Sequence, residues 1–90
     1  MIDLLDHLKK MLSTAGLSGF ESPIREIIHD AWEPLTDELR ISKIGSFHGL
    51  KKGRGESPRK RVLISAHMDA IGMMVTDIKD GLMRITQIGG

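Results

Sequence analysis

Cysteine is absent from the 90 residues. That excludes a disulfide framework, a thiolate-ligated zinc and a thiol nucleophile. Aromatic side chains are nearly as scarce: Phe20, Trp32 and Phe47 are present, with no tyrosine. Modules that stack nucleic-acid bases on aromatic faces carry more of them than this, which argues against a nucleic-acid partner. Charge of one sign is missing too. Thirteen Lys and Arg stand against twelve Asp and Glu, a net charge of +1, so no global field selects a partner. No apolar run approaches the roughly 20 residues that span a bilayer. Asp3 and Asp6 occupy positions where a secretory leader would carry positive charge. The sequence therefore reads as a soluble, cytoplasmic chain with no membrane partner. Its 40% hydrophobic share is ordinary for one small folded domain and too high for a disordered one.

Two helices are expected first. Leu4, Leu5, Leu8, Met11, Leu12 and Ala15 recur at spacings of three and four and form one apolar stripe, which Gly16 ends. After the short loop Leu17-Ser18-Gly19-Phe20-Glu21, Ser22 is the expected N-cap of a second helix, with Pro23 at its first position. Ile24, Ile27, Ile28, Ala31 and Leu35 continue that stripe. Pro34 cannot donate a hydrogen bond and clashes with the preceding turn, so the helix is expected to stop near Ala31 or Trp32.

Strands follow. Leu39 to Ile44 alternates apolar and polar, as a half-buried strand does, and Phe47 to Leu50 returns as a short partner after Gly45-Ser46. Residues 51–61, KKGRGESPRKR, hold six basic residues with glycine, serine and proline. They read as a loop at a hairpin tip. A polyanion contact is the alternative, and the lack of any aromatic or basic helix beside them favours a solvated connection. Val62-Leu63-Ile64 is continuously apolar, the pattern of a strand buried on both faces of a parallel sheet. Ile71 to Val75 and Leu82 to Ile88 read as two more strands, with Asp80-Gly81 between them as a tight-turn signal. The expected fold class is α/β, two helices followed by several strands.

Four histidines are candidates for chemistry. His7 falls on the polar side of the first helix, His29 lies beside Asp30 in the second, and His48 sits in or beside a turn. Each reads as a surface or locally satisfied residue. His67 differs in its setting. In extended chain, residues two apart project to one side, so His67 and Asp69 go together, just where the Val62–Ile64 strand is expected to end. Open α/β sheets place ligands beyond the carboxyl ends of their strands. A neutral imidazole can bind a metal while a carboxylate takes its other N–H, and the same pair suits general acid–base work.

The block from Leu63 through Ser65-Ala66-His67-Met68-Asp69-Ala70 to Val75 resembles the tetrahedral-aminopeptidase family, cytosolic metallopeptidases also called glutamyl aminopeptidases. Leu17 to Glu21 is similar to that family's early loop, Asp37 to Ser46 to its first hairpin, and Asp80 to Gly90 to the segment leading to its smaller inserted domain. The resemblance implies that residues 1–90 are the N-terminal portion of an α/β/α catalytic domain, ending near the start of that inserted domain. It implies two divalent metal ions, zinc or cobalt, per full-length subunit, short peptides as substrates, and assembly of full-length subunits into large hollow homo-oligomers. It assigns His67 as a ligand to one metal ion and Asp69 as the catalytic-site aspartate that holds the imidazole. The bridging carboxylate, the general-base Glu and the other ligands have no counterpart in these 90 residues, so the chain alone is expected to be inactive. The family usually carries Glu after that Asp, and here the residue is Ala70, a departure that bears on substrate preference and activity. Two other readings stand beside this one: a non-enzymatic polyanion- or protein-binding module, and a degenerate relative that has lost peptidase activity.

Overall fold

A computed structural model describes residues 2–90. Helix α1 spans Leu4–Ser13 and α2 spans Ser22–Trp32. A single 3-10 turn, Glu33–Leu35, follows α2. Four strands complete the chain: β1 Glu38–Ile41, β2 Phe47–Leu50, β3 Gly72–Lys79 and β4 Leu82–Ile88. The α/β class and the order of helices before strands match the sequence reading.

The caps differ from it in one respect. Asp3 caps α1, its carboxylate accepting from the backbone N–H of Leu5 at 2.9 Å and of Asp6 at 3.2 Å, which satisfies two otherwise orphaned donors. In α2, Ser22 is the first helical residue and not the cap. Glu21 occupies the cap position and makes no side-chain capping bond. Its carboxylate turns back to accept from the Gly19 N–H at 2.7 Å, while the Ser22 hydroxyl accepts from the Arg25 guanidinium at 3.1 Å. Pro34 ends α2 as expected, and the chain tightens into the 3-10 turn. Within the described helices, none is long and apolar enough to cross a membrane.

The β1–β2 pair is an antiparallel hairpin in the register Glu38↔Leu50 to Ile41↔Phe47. The expected strand through Ile44 is cut at Ile41, because Ser42 to Ser46 form the turn. The Ser42 N–H donates to the Ser46 carbonyl at 2.9 Å, and the Gly45 N–H to the Ser42 carbonyl at 3.0 Å. Gly45 has φ +88, a conformation that favours glycine. This hairpin leans on α2 through stacked rings: Trp32 and Phe47 lie 5.4 Å apart, and His29 lies 6.1 Å from Phe47. A Cβ on Gly49 would come within 2.9 Å of the Trp32 ring and 3.1 Å of Thr36. Gly49→Ala is thus expected to cost about 1–3 kcal/mol through overpacking against a rigid ring, read as a lower denaturation midpoint of the full-length protein.

The second hairpin pairs Gly72↔Ile88 through Lys79↔Leu82. Asp80 and Gly81 have φ 53 and φ 75, the positive values that a two-residue type I′ connection requires. β3 runs on to Lys79, four residues past the expected end, carried by a bulge between Val75 and Asp77. The Thr76 hydroxyl at the bulge donates to the Arg84 carbonyl at 3.2 Å.

The expected Val62–Ile64 strand is not formed. Residues 62–69 have no strand pairing, and Val62, Leu63 and Ile64 are 86–90% exposed. A strand exists only against a partner, and none of the four described strands pairs with this run; each sheet is an isolated antiparallel pair. Consequently residues 51–61 are a fully exposed loop but not a hairpin tip. The one parallel pairing among the described residues is a single bridge, Leu17↔Ala70. The buried hydrophobic core is small, Ile24 and Ala31, with Gly16 against Ile24. A Cβ on Gly16 would lie 3.1 Å from an Ile24 methyl, so the α1–α2 loop passes close over α2.

Candidate metal centre

His67 and Asp69 lie in the unpaired segment that leads to the bridge at Ala70. The structure brings them together as the spacing implied. The His67 Nδ1 lies 2.9 Å from the Asp69 carbonyl oxygen and 3.1 Å from its Oδ1. Both of these oxygens accept, and a carbonyl oxygen can do nothing else, so Nδ1 carries the hydrogen. In the neutral ring that leaves Nε2 with a free lone pair. Among the described residues, no hydrogen bond of His67 uses Nε2, and the side chain is 85% exposed. The pair therefore presents one nitrogen ligand with its tautomer set.

Asp69 is held from its other side as well. Its Oδ2 accepts from the Ser18 hydroxyl at 2.5 Å, across 51 residues of sequence. Ser18 was not singled out by the sequence reading. It lies in the α1–α2 loop, and only the pairing of Leu17 with Ala70 brings it to this place. The hydroxyl of Ser18, and next the imidazole of His67, hold the Asp69 carboxyl below the ordinary aspartate value of 3.8, against an opposing push from burial. A carboxyl held down in the folded state contributes stability above its unfolded value, and that contribution fades as pH falls through the folded one.

The donor set fits one coordination position and no more. No group of three or more His, Cys, Asp or Glu side chains that could hold a metal ion occurs among the described residues. His29 is 3.5 Å from the Asp30 carboxylate and stacked near Phe47, as expected of a locally satisfied residue. His48 is an exposed residue of β2. In the basic loop, the Arg59 guanidinium folds back to donate to the Gly53 carbonyl at 2.8 Å, and the Lys52 N–H donates to Asp37 at 2.6 Å. No aromatic ring lies within residues 51–61, and the segment is a solvated connection.

Comparison with known proteins sets this geometry in context. The family model for M42 glutamyl aminopeptidase matches residues 45–90. An inferred aminopeptidase of Acetivibrio thermocellus is 40% identical over 89 residues, 98% of this chain and 26% of that protein. The lysyl aminopeptidase of Pyrococcus furiosus is 39% identical over 85 residues, 92% of this chain and 23% of that protein. Among solved structures, the TET aminopeptidase of a marine sediment archaeon of the Thaumarchaeota superposes with a TM-score of 0.82 at 31% identity. That superposition covers 96% of this chain and 24% of the neighbour. The chain thus spans about a quarter of the length of the relatives it matches.

Proposed function

The chain belongs to the M42 glutamyl aminopeptidase family, and on that premise we propose that its 90 residues are the N-terminal segment of a metal-dependent aminopeptidase. The full-length enzyme removes N-terminal residues from short peptides, works in the cytoplasm with two zinc or cobalt ions per subunit, and assembles into a large homo-oligomer. In this reading the segment ends near the start of the smaller inserted domain. The observation that carries the proposal is the His67–Asp69 pair: an imidazole whose Nδ1 is committed to Asp69 and whose Nε2 is free. That is the usual arrangement of a metal-ligating histidine.

When bound, the metal ions polarise the scissile carbonyl and activate water for its attack. What this chain supplies is the preparation for that chemistry. Asp69 fixes the tautomer and direction of the His67 ring and favours its electron density at Nε2. The remaining ligands and the general base belong to parts of the enzyme outside these 90 residues.

The test is hydrolysis of a panel of chromogenic aminoacyl substrates by the full-length protein, with and without a chelator. Turnover lost on chelation and restored by zinc or cobalt is the expected result. Turnover indifferent to the chelator would exclude the metal-dependent reading. In the same assay Asp69→Asn is expected to lose about 10–100-fold in activity or metal affinity, the usual effect of removing an outer partner of a ligand.

A further inference from the structure

We propose that Ser18 is a positioning residue for the metal-ligating imidazole, acting through Asp69: its hydroxyl pins one carboxylate oxygen so that the other stays on His67. The inference rests on the reading of His67 as a ligand and goes beyond it. It concerns a residue outside the span matched by the family model, residues 45–90.

The argument starts from a torsion. The terminal torsion of an aspartate is an sp³–sp² bond with a broad, roughly two-fold preference. One hydrogen bond at one oxygen leaves the carboxylate free to rock. Asp69 is gripped at both ends, Oδ2 by the Ser18 hydroxyl and Oδ1 by the His67 Nδ1–H. The two grips together fix the plane of the carboxylate, and with it one of the two oxygens that hold the ring.

Ser18 can do this only because its loop is fastened to the segment around Asp69. The Ala70 N–H donates to the Gly16 carbonyl at 2.7 Å, and Leu17 bridges Ala70 in parallel. Gly72 lets the loop come close, since a Cβ there would lie 2.7 Å from a Leu17 methyl. On the other flank the chain turns sharply. The Phe20 N–H donates to the Leu17 carbonyl at 2.7 Å, and Gly19 has φ +86. Ser18 is thus set between a backbone ladder step and a turn, with its hydroxyl on the carboxylate. A residue held so firmly needs no rearrangement when the ligand nitrogen is engaged, the condition a precise metal site demands.

The test uses the full-length protein carrying Ser18→Ala, Ser18→Thr, Asp69→Ala and the Ser18→Ala/Asp69→Ala double substitution. Two quantities are read: the imidazole nitrogen-15 spectrum of His67 in metal-free protein, and the zinc affinity. Ser18→Ala is expected to shift the His67 Nδ1 resonance, as the carboxylate's share of that hydrogen bond loosens, and to weaken zinc binding about 10-fold, the lower end of the range for outer partners. Ser18→Thr, which keeps the hydroxyl, is expected to restore both. In the double-substitution cycle, Ser18→Ala is expected to add nothing once Asp69 is already alanine.

Three results would overturn the proposal: an unchanged Nδ1 resonance and zinc affinity in Ser18→Ala, equal losses in Ala and Thr, or a full further loss on the Asp69→Ala background. The last two would mark a loop-packing role. The underlying ligand assignment is tested separately by the zinc content of His67→Ala. A protein that loses zinc with His67→Ala but not with Ser18→Ala refutes the present inference alone. Zinc retained in His67→Ala refutes the ligand assignment, and the inference falls with it.

Discussion

Replacing His67 by alanine in the full-length protein is expected to empty one metal position and to abolish nearly all turnover. The expectation follows from what the side chain contributes. His67 is the residue that offers a free, tautomer-fixed nitrogen in this segment, and no cluster of alternative donors lies among the described residues to replace it. Loss of a ligand removes a bond to the ion itself, whereas Asp69→Asn only loosens the ring that makes the bond. The two substitutions should therefore be graded. His67→Ala should lose far more than the roughly 10–100-fold assigned to an outer partner. Metal content by elemental analysis and turnover with added zinc or cobalt separate them. Asp69→Asn should regain activity in excess metal, because a weakened site can be refilled by mass action. His67→Ala should not. Wild-type metal content and rate in His67→Ala would mean that the ligand is elsewhere and that the His67–Asp69 contact is only structural.

The parts of this site that could be read from the sequence are those in which chemistry and spacing are local. Two residues apart in extended chain is enough to bring His67 and Asp69 together, and the structure places them in contact. Ser18 could not be found this way. A serine in a glycine-containing loop has many ordinary uses, and its separation of 51 residues from Asp69 is closed by the Leu17–Ala70 bridge, which no local pattern announces. The same division runs through the fold. The helices follow from the 3.6-residue period and the second hairpin from Asp80-Gly81, each an interaction among near neighbours. The Val62-Leu63-Ile64 strand does not form, because a continuous apolar run describes only what would surround a strand. Whether it pairs depends on segments distant in sequence. Ser22 and Glu21 illustrate a finer limit: both can serve at a helix start, and here the Gly19 N–H draws the Glu21 side chain away from the helix.

The isolated 90-residue chain is expected to show no aminopeptidase activity, only weak zinc binding, and no cooperative unfolding as a monomer. One imidazole leaves most coordination positions to water, which accounts for the first two. The third follows from surface and shape. The chain exposes 8245 Å², whereas a closed monomer of 10.0 kDa exposes about 5,200 Å² by the usual scaling. Its radius of gyration is 17.7 Å against about 12 Å for a compact domain of this length. The excess surface is largely apolar. Val62, Leu63, Ile64, Leu82 and Ile71 are each at least 70% exposed, and the buried hydrophobic core amounts to Ile24 and Ala31. Both sheets are two-stranded, a size that is marginal in water without a packed face, and their outer edges are open to other chains. The dye anilinonaphthalene sulfonate should therefore bind strongly, urea should produce a broad transition, and light scattering should report association that grows with concentration. Adding the remainder of the enzyme as a separate polypeptide should suppress the dye binding, because the same apolar surface would then be covered. A monomer that unfolds in one sharp urea transition without binding the dye would show that these 90 residues close a core of their own, contrary to the exposure of Val62 to Ile64.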